Sequence, residues 1–145
     1  MLDRARIQSL IPHVGAMCLL DGVTGWTADA IACTAVSHLD PANPLRRQGM
    51  LATLCGAEYG LQAAALHGAL LAGGRPQPAG YLAVLRELEL HAPRLDDPGH
   101  GRLTVEARLE RQDASGLIYA LAVLAEGGRP LLRARGAIAL PGVAG

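Results

Sequence analysis

The run "MLATLCGAEYGLQAAALHGALLA" at residues 50–72 constrains this chain more than any other feature. It is almost wholly apolar, yet it carries one carboxylate, Glu58, with an amide, Gln62, one helical turn later. A buried charge costs several kcal/mol unless it is paired or takes up a proton. At helical spacing Glu58 and Gln62 lie about 40° apart on the wheel. Leu51, Leu54, Cys55, Ala65 and Ala69 share their face. Gly56, Gly60, Ala63, Ala64 and His67 lie opposite, and they are mostly small, so a sheet can approach closely. No polar face is present to solvate Glu58. The expectation is a helix enclosed by sheet, with a carboxylate suited to acid or base work. Glu58, Tyr59, Gln62, His67 and three glycines make the same run a poor membrane span.

The flanking sequence supplies the sheet. "LDRARIQS" (2–9) reads as a short amphipathic helix ending before Pro12. "MCLLDGVTGW" and "AIACTAVS" are apolar runs separated by a turn, and predict a hairpin. "LDPANPLRRQG" is a Pro-rich loop into the 50–72 helix, which Gly73 and Gly74 close. "GYLAVLRELEL" predicts a strand kinked near Arg86. "RLTVEARLER" and "RPLLRARGAIAL" alternate, whereas "GLIYALAVLAE" is apolar on both faces, as a central strand would be. "DASG" and "EGGR" predict tight turns between them. The layout is α+β: a helix, two strands, one long central helix, then about four antiparallel strands.

Composition removes several function classes. With 145 residues the length predicts one domain, 1–145, that buries roughly 70% of its unfolded surface. Thirteen arginines, with no lysine, balance thirteen acidic residues, so no overall field draws the chain to nucleic acid or anionic lipid. Aromatics are 3% of residues, which argues against base-stacking platforms. Cys18, Cys33 and Cys55 are widely spaced, fitting neither a disulfide framework nor a zinc site, and read as reduced thiols. His67, His91 and His100 lack metal-ligand spacing, so no metal and no cofactor is expected. The N-terminus does not read as a signal peptide, and the expected location is cytoplasmic.

"SLIPHVGAMCLLDGVTGW", then "GAEYGLQAAA", then "GYLAVLRELELHAP" resemble, in order, the hot-dog-fold 3-hydroxyacyl-(acyl carrier protein) dehydratases. The likeness spans about residues 7–140 and is greatest to the ApeP-like branch associated with aryl-polyene and related fatty-acid-type pathways. It implies an antiparallel sheet wrapped around the long helix, pairing of two subunits, and an acyl tunnel at their interface. By resemblance, Glu58 is the helix carboxylate that handles the β-hydroxyl proton, and Gln62 helps position it. Thr53 falls where FabZ-type enzymes use a backbone N–H to polarise the thioester carbonyl. His13 matches a structural histidine.

The chain departs from that pattern where the relatives place a loop histidine as base for the α-proton. The matching place is Asn43-Pro44, and an amide is no general base at neutral pH. His38, five residues upstream, is either that base or a strand-end surface residue. Three readings stay open. One is a dehydratase using Glu58 with His38 or a partner-chain base. Another is a thioesterase using Glu58 with Asn43 and Gln62. The third is a non-catalytic partner subunit of a heterodimeric dehydratase. In each, the partners expected are an acyl carrier protein or coenzyme A thioester and a second hot-dog subunit, as homodimer or heterodimer. Arg46 and Arg47 precede the helix, where they would meet a phosphopantetheine phosphate or simply face solvent.

Overall fold

The structure, a computed structural model, describes residues 2–11, 15–75 and 81–139. Pro12 and His13 lie outside the described residues. The chain opens with a two-residue strand β1 (Leu2–Asp3) and helix α1 (Arg4–Leu10). Asp3 caps that helix by accepting from the Arg6 amide at 3.0 Å. Strands β2 (Gly22–Trp26) and β3 (Ala30–Ala35) form the expected hairpin. Helix α2 (Gly56–Leu71) follows, then β4 (Tyr81–Leu90), β5 (Leu103–Asp113), β6 (Gly116–Leu124) and β7 (Pro130–Ala139). One antiparallel sheet results, ordered β1-β2-β3-β5-β6-β7-β4.

The local chemistry explains most of these boundaries. Asp113 accepts from the Ser115 and Gly116 amides in the turn joining β5 to β6. Gly127 and Gly128 supply positive φ between β6 and β7. The kink in β4 is a register shift between Arg86 and Glu89, with Glu87 at φ 52°. Strand β6, apolar on both faces in the sequence, lies between β5 and β7.

Helix α2 begins six residues later than its apolar run predicts. Arg47 pairs with Met50 across a turn in which Gln48 (φ 53°) and Gly49 (φ 75°) are left-handed. Ala52 pairs with Arg94, so 50–52 is extended, and a 3₁₀ turn at Thr53–Cys55 leads into the helix. Two-stranded pairing of the backbone has overridden helical propensity here.

The sheet covers α2 on its small-residue side. A Cβ added at Gly56 would meet Val123 at 3.2 Å, and one added at Gly60 would meet Leu121 at 3.0 Å. The helix is not enclosed all round, however. Leu54, Glu58, Leu61, Ala65 and Gly68 form one stripe that is partly or fully exposed in the single chain, Leu54 by 48%. Among the described residues no helix is long and apolar enough to cross a membrane.

Candidate active site

Glu58 stands in the first turn of α2, on the uncovered stripe, next to Leu54 and Leu61. A helix start leaves backbone N–H groups without intrahelical acceptors and carries a partial positive charge. Here the 3₁₀ entry turn takes up part of that capacity, the Cys55 N–H donating to the Ala52 carbonyl at 3.0 Å and the Gly56 N–H to the Thr53 and Leu54 carbonyls. The stripe around Glu58 is otherwise apolar.

The other residues expected at the site turn inward. Gln62 is fully buried: its Oε1 accepts from the Leu19 amide at 2.9 Å and its Nε2 donates to the Met17 carbonyl at 2.7 Å. The amide that the resemblance gives a positioning role thus holds the segment before β2. Asn43 is buried too, its Nδ2 donating to the Ser37 carbonyl (2.9 Å) and to the Tyr59 hydroxyl (3.1 Å), its Oδ1 accepting from the Leu45 amide (2.9 Å). Ser37 Oγ donates to the Leu19 carbonyl at 2.8 Å, which leaves Tyr59 to donate to Ser37 at 2.8 Å. Burial pushes the Tyr59 phenol pKa up. Thr53 Oγ1 donates to the Ala92 carbonyl at 2.7 Å, tying the entry turn to the chain beyond β4.

His38 is not a strand-end surface residue. It lies in a 3₁₀ turn (Ser37–Leu39) with no exposed area. Its Nε2 donates to the Gly101 carbonyl at 2.9 Å, so Nδ1 carries the lone pair, enclosed and without a hydrogen-bond partner. Burial lowers its pKa, which keeps the ring neutral.

Arg46, expected at a tunnel mouth, is folded into the chain. It donates to the carbonyls of His38 (3.1 Å), Asp40 (2.9 Å) and Gly49 (3.2 Å) and to the Asp96 carboxylate (2.9 Å). Its neighbour Arg47 is exposed and donates to Pro44 and Arg46 carbonyls. Asp96 is 8% exposed and also receives Arg94 in a two-pronged pair at 2.8 Å on each oxygen. The Arg94 hydrogen bonds, helped by the Leu51 amide, hold its pKa well below the usual carboxylate range.

Sequence reasoning missed Asp96, Ser37 and Tyr59. In "RLDDPG" nothing local distinguishes Asp96, which turns inward to two arginines, from Asp97, which stays exposed and caps Gly99. His67 is likewise structural, with Nε2 donating to the Thr27 carbonyl (2.8 Å) and Nδ1 accepting from Tyr119 (2.7 Å). Among the described residues no cluster of three or more histidine, cysteine or acidic side chains could hold a metal.

Among solved structures, "The Dehydratase Heterocomplex ApeI:P from Xenorhabdus doucetiae" superposes with a TM-score of 0.79 at 19% identity, covering 97% of this chain and 92% of that one. S. sahachiroi AziG gives 0.63 at 16% identity, covering 89% and 95%. A Q32A mutant of the thioesterase SAV0944 from Staphylococcus aureus subsp. aureus Mu50 gives 0.57 at 13% identity, covering 81% and 90%. These likenesses establish the hot-dog fold, α2 against an antiparallel sheet. No curated protein matches the sequence. The profile of the ApeP dehydratase family matches residues 5–142, nearly the whole chain, and the chain belongs to the ApeP-like family.

Proposed function

We propose that this chain acts on 3-hydroxyacyl thioesters as a dehydratase-type subunit, with Glu58 as the acid that protonates the departing β-hydroxyl. The observation that carries this reading is the position of Glu58. It sits in the first helical turn, on an apolar stripe that the chain's own sheet leaves uncovered. A second subunit laid on that stripe would desolvate the carboxylate and build an acyl-chain wall around it.

The chemistry then divides simply. The thioester carbonyl is placed against the backbone N–H side of the Thr53–Leu54 turn, the Cys55 N–H being held by the Ala52 carbonyl, and that donor stabilises the enolate oxygen as the α-proton leaves. Glu58, as the carboxylic acid, gives its proton to the β-hydroxyl, which departs as water while the carbon–carbon double bond forms. We assign the α-proton to a base from the partner subunit, because the His38 ring is tied to Gly101 and enclosed. The heterocomplex from Xenorhabdus doucetiae motivates a second hot-dog subunit as that partner. The acyl group arrives on an acyl carrier protein or coenzyme A. Exposed Arg47 is the better candidate of the loop arginines to meet its phosphate, since Arg46 faces Asp96.

Thioester hydrolysis is the second reading. One specific observation favours it: the His38 ring, the base that dehydration would recruit from this chain, is enclosed and tied to Gly101, and hydrolysis does not need it. Against it, Asn43 and Gln62, the amides such a mechanism would recruit, are both held by backbone groups.

Intact-protein mass spectrometry of a 3-hydroxyacyl carrier protein separates these readings. It would be incubated with the purified chain, alone and with a co-expressed hot-dog partner, as wild type and Glu58→Gln. Loss of one water that needs both partner and Glu58 is expected. Return of the free carrier thiol would make the chain a thioesterase. An unchanged acyl carrier in every mixture would overturn the enzymatic reading.

A further inference from the structure

Leu51, Ala52 and Thr53, ahead of α2, are each fastened to the chain beyond β4. The Leu51 amide faces the Asp96 carboxylate, and the Leu51 carbonyl accepts from the Leu95 amide at 2.8 Å. Ala52 pairs with Arg94, and Thr53 Oγ1 donates to the Ala92 carbonyl at 2.7 Å. Asp96 is the hub of this seam. Arg94 grips both its oxygens at 2.8 Å, and Arg46 reaches one of them at 2.9 Å. Through Arg46 the same carboxylate reaches the His38 and Asp40 carbonyls after β3 and the Gly49 carbonyl in the left-handed turn. A buried carboxylate that gathers two arginines and a backbone amide fixes three chain segments at once.

We propose that Asp96 is a positioning residue for the site: its pairing with Arg46 and Arg94 sets the 51–55 entry turn that leads into α2 and so places both the Thr53–Leu54 backbone and Glu58. The consequence rests on the dehydratase reading, but the placement does not. Asp96 lies three residues beyond the last motif patch, which ends at Pro93, and its role is to hold backbone. It acts by holding that turn where charge develops, so its loss lowers turnover more than substrate binding.

The test compares wild type with Asp96→Asn, which keeps the shape and removes the charge, and with Asp96→Glu, which restores the charge at a longer reach. Amide hydrogen exchange by mass spectrometry is read over 50–58 and, as an internal control, over β5 and β6. Faster exchange confined to 50–58 in Asp96→Asn, partly rescued in Asp96→Glu, is expected. In the dehydration assay with the partner, kcat should fall about 100-fold with KM little changed. Unchanged exchange at 50–58, or a loss of protection spread evenly over the sheet, would overturn the placement. Localised loosening with unchanged kcat would overturn the functional role. If wild type turns over neither chemistry, the dehydratase reading fails while the exchange comparison still decides whether Asp96 sets the turn.

Discussion

The amide of Gln62 clamps the backbone of Leu19: its Oε1 accepts from the Leu19 N–H at 2.9 Å while its Nε2 reaches the Met17 carbonyl at 2.7 Å. One turn earlier on the same helix, Glu58 faces outward. Two polar residues that share a face in the sequence therefore have different work, one inside the fold and one on its open stripe. Gln62→Ala should destabilise the chain by about 1–3 kcal/mol, since it orphans the buried Leu19 N–H and removes the donor to the part-buried Met17 carbonyl. Urea unfolding measures that loss. Glu58→Gln should leave stability within about 1 kcal/mol of wild type.

Two glycines on α2 should respond oppositely to alanine. Gly60→Ala places a Cβ 3.0 Å from Leu121 Cβ and should cost about 1–3 kcal/mol by overpacking. Gly68 has nothing within 4 Å of an added Cβ. Gly68→Ala should stabilise the isolated chain by about 0.5–1 kcal/mol through helix propensity. Thermal melts of the two variants give the signs directly.

His38 makes stability fall in mild acid. Burial lowers its folded pKa below 6.5, so the unfolded chain takes up the proton first as pH drops. Its penalty is absent above about pH 7, grows as pH falls through the unfolded value, and levels off below the folded pKa. The slope it adds reaches at most about 1.4 kcal/mol per pH unit. Denaturation midpoints from pH 7.5 to 5 should fall less steeply in His38→Asn than in wild type. Parallel curves would show that the ring does not titrate differentially.

Leu54 should matter to assembly and little to folding, being 48% exposed beside Glu58. Leu54→Arg should leave the melting temperature nearly unchanged and abolish co-purification with a hot-dog partner. A retained complex would move the interface off this stripe.

The fold was largely legible because its signals are local. Alternation in β5 and β7, the two-faced apolarity of β6 and the turn residues at Asp113 and Gly127 each act within a few residues. The small residues at Gly56 and Gly60 revealed which side of α2 meets the sheet, since only close approach explains them. The start of α2 is not legible locally, because apolar composition continues through 50–55 while pairing with Arg47 and Arg94 holds 50–52 extended.

The site divides along the same line. Local pattern was enough to put one carboxylate, Glu58, on the central helix; that it falls in the first turn follows from the helix starting at Gly56. It took the folded chain to turn Gln62, Asn43 and Arg46 inward, to enclose His38, and to bring Asp96 to the strip before the helix. A side chain's role follows from which distant donor or acceptor it meets. Those partners lie up to 63 positions away, between His38 and Gly101, where no local spacing records the encounter.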